Sequence, residues 1–321
     1  MDVSQQVLKH LPRDARTTVP LIDHYSQDYQ DLFPEVRSYE CFKSLHLGLL
    51  SGLKRKSLPE IAKVVPRQSS QSLHHFLRDS PWSCRDLTLK RLHRLLTVLN
   101  GRKLVVIVDE TGDRKKGKTT DYVARQYLGR LGKIDQGIVS VNAYGVYEDV
   151  TIPLICRVFK PKGRLKPGDI YQTKPDIASE ILEELVEYGF EIDLVLSDSL
   201  YGESNHFIQT LERHGLSWVL SIRSNHGVFL LPGHRVRANR WCAFERHFRR
   251  KPPEKRYIRE IIFGKRHRRT YWQLTSDPDN LPEQSIASLI INRTMRPIHP
   301  RIGGGHWSAG ASSFQNYVQW G

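Results

Sequence analysis

Apolar residues recur along the chain at two spacings, and the change from one to the other divides it. Between residues 39 and 99 they return every three or four positions. Phe42, Leu45, Leu49 and Leu53 share a face over Tyr39–Leu53. The same spacing predicts helices over Leu58–Val65, Ser72–Arg78 and Arg85–Leu99, with Gly101 as a stop. Ser57-Leu58-Pro59-Glu60 has the pattern of a capping box opening the second of these. Three short helices in a row suit a helix-turn-helix, with Gln68–Ser72 opening its second element, or an ordinary helical cap on the next domain.

From residue 103 the pattern shortens. Lys103–Val108 is a continuous apolar run that predicts a buried strand ending at Asp109. Gly137–Tyr147 and Val150–Phe159 predict a hairpin broken at Glu148-Asp149, followed by a basic loop, Pro161–Pro167. Asp176–Tyr188 is amphipathic with Gly189 behind it, Asp193–Ser197 is a strand ending at Asp198, Glu203–His214 is a helix stopped by Gly215, and Ser217–Ile222 is a strand. Tyr257–Phe263 and Arg269–Thr275 suit a hairpin. This order predicts an α/β protein: a mixed sheet flanked by helices, preceded by a helical region.

Charge sharpens the picture. The 321 residues hold 49 Lys+Arg against 34 Asp+Glu, a formal charge of +15. Residues 199–321 carry 19 basic and 8 acidic residues, whereas 101–198 carry 15 and 16. Arg249, Arg250, Arg256 and Arg266 lie in the densest stretch, interleaved with Trp241, Phe244, Phe248 and Tyr257. Arginine in such number suits bidentate phosphate contacts, and double-stranded DNA is the expected partner. The four cysteines form no CxxC pair, the N-terminus has no apolar core of a signal peptide, and no apolar run approaches a membrane span. The expectation is a cytoplasmic chain with no membrane partner.

Two carboxylates stand out. Asp109 and Asp198 each follow an apolar strand, and neighbouring strands would bring them to one sheet edge. Hard oxygen ligands so placed hold Mg²⁺ or Mn²⁺, which support phosphodiester chemistry. A competing pattern, Gly112–Thr119, matches a P-loop, with 121–131 as the helix it needs. The hairpin strands that follow do not suit a parallel crossover fold. A third reading is a DNA-binding protein without chemistry. Cys242 with His247, His234 or His267 lacks the spacing of a zinc site.

Val108-Asp109-Glu110-Thr111-Gly112, Lys115-Lys116-Gly117-Lys118, Val123-Ala124-Arg125-Gln126-Tyr127-Leu128-Gly129 with Gly132-Lys133, and Leu196-Ser197-Asp198-Ser199-Leu200-Tyr201-Gly202 resemble the two acidic blocks of bacterial insertion-sequence transposases. These are DDE endonucleases with an RNase H-like core. The resemblance runs over roughly residues 35–283. It implies metal-dependent cleavage and strand transfer at element ends, with Asp109 and Asp198 as catalytic acids and ligands for Mg²⁺ or Mn²⁺. It also implies a basic β-rich insertion after the second acid, a homodimer that pairs two DNA ends, and a nucleoid-associated location. Lys115, Lys116, Arg125 and Lys133 become candidate phosphate contacts beside the first acid. The expected organisation is a helical, DNA-binding region at 1–100, the catalytic core at 101–222, the insertion with its hairpin at 223–283, and an atypical tail at 284–321. The third acid of the family has no visible counterpart: residues 284–321 contain no Asp or Glu, where about four would be ordinary. That tail reads as degenerate or truncated, with catalysis impaired in this copy.

Overall fold

The computed structural model describes residues 14–66, 68–117, 119–223, 226–228, 230–246, 252–264 and 269–280, and the backbone of 287–292. The chain divides into two compact units, 1–95 and 96–321.

The first unit is helical: α1 (Pro20–Gln27), α2 (Val36–Leu50), α3 (Leu58–Val64), α4 (Ser70–Arg78) and the start of α5 (Cys84–Leu99). Its core is aromatic. Tyr29, Phe33, Phe42, Leu73 and Phe76 are buried together, with the Phe33 and Phe42 rings 4.9 Å apart. Lys43 is buried as well. Its ammonium is held by the Asp23 carboxylate at 2.7 Å and donates to the Arg16 carbonyl at 2.6 Å, which offsets the cost of removing a charge from water. The capping box expected at Ser57 does not form: Ser57 makes no side-chain cap, and Glu60 bonds Lys63 at 2.7 Å instead. The box sits at α4, where Ser69 and Ser72 exchange reciprocal side-chain-to-backbone bonds of 3.0 Å.

The second unit is built on β1 (Leu104–Arg114), β2 (Ala124–Leu128), β3 (Lys133–Tyr147), β4 (Val150–Val158), α6 (Lys174–Glu187), β5 (Ile192–Ser197), α7 (Ser199–Gly202), α8 (Asn205–Arg213) and β6 (Trp218–Ile222). β3 pairs antiparallel with β1 and β4, and β5 and β6 run parallel to β1. The order β4-β3-β1-β5-β6, three antiparallel strands followed by two parallel ones, is RNase H-like. Apolar Val106, Val108, Val141, Val195 and Leu220 are fully buried, and α6 packs on β3 and α8. The hairpin turns at Glu148-Asp149 with Glu148 at φ 51°, and Gly189 and Gly215 leave their helices at φ 87° and 64°. β7 (Val236–Ala238), β8 (Cys242–Arg246), β9 (Glu254–Phe263) and β10 (Arg269–Thr275) form the basic β-rich part, with β9 and β10 as the expected hairpin. β11 (Ala287–Asn292), in the segment expected to be atypical, joins this part to the core by pairing with both β6 and β10.

Two expectations fail here. β1 does not end at Asp109; it continues to Arg114 because β3 pairs with it along its whole length, from Val105↔Val146 to Arg114↔Gly137. Residues 121–131 do not form a helix, since 124–128 pair with β3 as strand β2. The P-loop pattern therefore lies partly inside a strand, with no helix behind it, and the nucleotide-binding reading falls.

Gly202 gives a direct test of the packing. A Cβ there would run into the Ser221 carbonyl oxygen and lie 3.1 Å from Leu220 Cβ, whereas one on Gly52 would meet nothing within 4 Å. In urea titrations Gly202→Ala should lose about 1–3 kcal/mol of stability, while Gly52→Ala should be neutral or slightly stabilising.

Candidate active site

The parallel pairing of β1 with β5 runs through Val108↔Ser197 and stops. The next residue on each strand is an aspartate, Asp109 and Asp198. The Ser197 hydroxyl, fully buried, donates to the Val108 carbonyl at 2.8 Å and fixes the two strands just before they part. Asp109 remains in the antiparallel ladder with β3, opposite Asn142, whose buried amide donates to the Ser140 carbonyl at 3.2 Å. Asp198 leaves its strand to cap α7, its Oδ1 accepting from the Leu200 N–H at 3.0 Å. The sequence brings the pair together as expected, although Asp109 is mid-strand for β3 and terminal only for β5.

Both carboxyls are partly buried and both are hard to ionise. Burial pushes Asp109 up to about 7, and repulsion from Asp198 and Glu110 adds to it. The Glu110 N–H, donating to Asp109 Oδ1 at 2.8 Å, and Lys174 oppose the shift. Asp198 is also raised, by burial and then by Glu110, against the Leu200 N–H.

Two neighbours, Glu110 and Lys174, were given no role by sequence reasoning, whereas Tyr201 was expected to pack over the site. Glu110 follows Asp109 on β1, and its charge acts on Asp198, Asp109 and Tyr201 alike. Its carboxylate meets the Lys174 ammonium at 3.0 Å, with both side chains largely buried. Lys174 is the first residue of α6, placed there by a capping box in which Thr173 and Asp176 bond each other at 2.9 and 3.3 Å. The Thr173-x-x-Asp176 spacing was the available signal. Tyr201 is fully buried, with its ring 5.6 Å from Phe207. Its hydroxyl has no hydrogen-bond partner among the described residues, and burial beside Glu110, Asp198 and Asp109 holds it far above the ordinary tyrosine range.

The expected basic contacts are scattered. Lys115 pairs with Asp113 at 2.5 Å, and Lys116 is exposed in the turn after β1. Arg125 and Lys133 are exposed on the paired strands β2 and β3. Arg256, in β9, is bound by Glu254 at 2.7 Å, so its guanidinium is already engaged. Arg249, Arg250 and Arg266 lie outside the described residues. Among the described residues no three His, Cys, Asp or Glu side chains gather as a metal cage, and Cys242 is exposed. No described helix is long and apolar enough to cross a membrane.

The model of the DDE superfamily endonuclease family matches residues 31–257, which include both aspartates. The chain belongs to the DDE superfamily endonucleases. A relative within this family context is the probable transposase for insertion sequence element IS701 of Microchaete diplosiphon. It is 52% identical over 275 residues, which cover 85% of this chain and 72% of that protein. A solved structure, the Drosophila P element transposase strand transfer complex, matches at 12% identity and a TM-score of 0.23, over 67% of this chain and 40% of that one. In this DDE endonuclease the two aspartates are supplied by adjacent parallel strands of the core.

The raised Asp109 has a consequence for stability. Its folded value, about 7, lies above the ordinary 3.8. Between those values the folded chain holds a proton that the unfolded chain releases, so stability falls as pH rises and the penalty is complete above about 7. Asp109→Asn removes it. In chelator at about pH 8 the variant should be more stable than the parent by about 2–4 kcal/mol, and the gap should close near pH 4. Urea titrations at the two pH values measure this, and a variant no more stable at the higher pH contradicts it.

Proposed function

We propose that this chain acts on double-stranded DNA as an insertion-sequence transposase, through metal-dependent phosphodiester cleavage and strand transfer at element ends. The observation that carries the reading is the pair Asp109 and Asp198, side by side past the last β1–β5 pair and hard to ionise without a cation. Their oxygen donors fit Mg²⁺ or Mn²⁺. Such an ion supplies charge stabilisation for an in-line displacement at phosphorus.

The chain's own residues supply the frame. Ser197 and the β1–β5 register hold the two carboxylates at one edge. Lys174 binds the Glu110 carboxylate, and its charge also opposes the repulsion at both aspartates. In cleavage a water oxygen bonds to phosphorus and the bond to the 3′-oxygen breaks, leaving a 3′-hydroxyl and a 5′-phosphate. In transfer that hydroxyl attacks a phosphodiester of the target, and the target's own 3′-oxygen leaves. Exposed Lys116, Arg125 and Lys133 are proposed phosphate contacts near the first acid, joined by Lys115 when it exchanges Asp113 for DNA. The helices of the first unit and the basic β-rich part are proposed to hold the flanking duplex, and two chains to pair two ends.

A second reading is a DNA-binding protein without chemistry. It is favoured by the 19 basic against 8 acidic residues of 199–321, which suit phosphate contact whether or not chemistry follows. Both readings are separated by nicking of supercoiled plasmid. On the primary reading nicking is slow, requires Mn²⁺ or Mg²⁺, and is abolished by Asp109→Asn and by Asp198→Asn. Nicking that survives either substitution or proceeds in chelator contradicts the site. Binding with no nicking by the parent chain favours the second reading.

A further inference from the structure

We propose that the connection between β4 and α6, residues 159–173, is a DNA-contacting platform on which Ile170 wedges between base steps of the duplex held at Asp109 and Asp198. This rests on the transposase reading above. It concerns a part of the chain that no step of that reading uses.

The connection is long and, apart from a single 3₁₀ turn at Lys162–Arg164, irregular, yet it is tied down. Asp169 is the anchor. Its carboxylate takes the Lys160 ammonium at 2.6 Å, the Lys166 N–H at 2.8 Å and the Tyr122 hydroxyl at 3.3 Å, while Lys166 reaches Asp121 at 2.5 Å. Directly after this anchor stands Ile170, 81% exposed. A single exposed aliphatic side chain is ordinary. This one is presented by a fixed loop, beside the partly exposed Val158 and Tyr171, in a segment where Lys160 and Lys166 are ion-paired and Lys162 and Arg164 face solvent. Residues 159–173 hold four Lys or Arg against one acid. Lys162 and Arg164 are exposed, and the Lys162 ammonium lies 4.7 Å over the Tyr171 ring. An apolar tip within a basic rim suits a duplex, whose phosphates meet the rim and whose stack accepts an aliphatic wedge.

The platform is also coupled to the acids by contact. Tyr171 packs edge-on against Phe159 at 6.4 Å, the Lys174 ammonium lies 5.7 Å from the Phe159 ring, and Lys174 meets Glu110 at 3.0 Å, next to Asp109. Four side chains thus link the tip to the site. On this proposal a duplex whose phosphodiester lies at the aspartates extends over Lys162 and Ile170.

The test uses the full chain and a short blunt-ended duplex carrying 2-aminopurine beside its end, in chelator. Unstacking of that base raises its fluorescence. With the parent chain, fluorescence should rise on binding. Ile170→Ala should abolish the rise and weaken binding roughly tenfold, whereas Ile170→Phe should keep both. Lys162→Ala should keep the rise but lower the slope of log affinity against log salt by about 0.9, the loss of one phosphate contact. Both positions changed are solvent-facing, so unchanged melting temperatures confirm the fold. A parent that binds with a rise matched by Ile170→Ala, or that binds with no rise, overturns the platform and leaves the transposase reading standing. A parent that does not bind duplex at all overturns both.

Discussion

The register between β1 and β5 sets the chemistry. Two apolar strands, Leu104–Val108 and Ile192–Ser197, lie side by side because each buries Val or Leu on both faces of the sheet. Their pairing ends at one rung, and the Ser197 hydroxyl bonds the Val108 carbonyl there. The next residue on each strand is an aspartate. A slip of one residue in this register would turn one carboxyl to the opposite face and dissolve the pair. The neighbouring elements serve that rung: β3 holds β1 in place beyond it, and α6 packs on β3 and brings Lys174 to Glu110.

What the register creates is electrostatically costly. Two carboxyls share a partly buried edge, a third is next to one of them, and a single ammonium, Lys174, answers all three. Asp109 responds by holding its proton to about 7. Tyr201 adds a buried hydroxyl that has no partner among the described residues and faces the same negative field. A cluster whose charge is offset only in part is what a divalent cation relieves, since binding a cation restores the charge balance that burial removes. On the proposed reading, the destabilisation at Asp109 and the affinity for a cation are two descriptions of the same charge arrangement.

Much of this was legible in the amino-acid order. Continuous apolar runs marked β1 and β5, the apolar stretches either side of Glu148-Asp149 gave the hairpin, Gly189 and Gly215 marked helix ends, and Asp109 and Asp198 stood out where apolar runs stopped. Three kinds of feature were hidden. Polar residues 109–114 look like a loop, yet they are strand because β3 supplies their partners, a long-range cause absent from local pattern. The P-loop-like spacing concealed β2 for the same reason. The Glu110–Lys174 pair joins residues far apart in sequence, and only the fold shows that the cap at Thr173 aims Lys174 at β1. At Ser57 the capping pattern was present but its glutamate found Lys63 instead, a case of one local interaction displacing another.

The central proposal is that Asp109 and Asp198 form one cation site whose charge Lys174 offsets only in part. Melting temperature against Mn²⁺ concentration, at about pH 8, above the value of about 7 for Asp109, tests it most directly, because a ligand that binds only the folded chain raises its stability by mass action. The account predicts that Mn²⁺ raises the melting temperature of the parent chain and leaves that of Asp109→Asn and of Asp198→Asn unmoved. An equal rise in all three, or no rise in the parent, would contradict it.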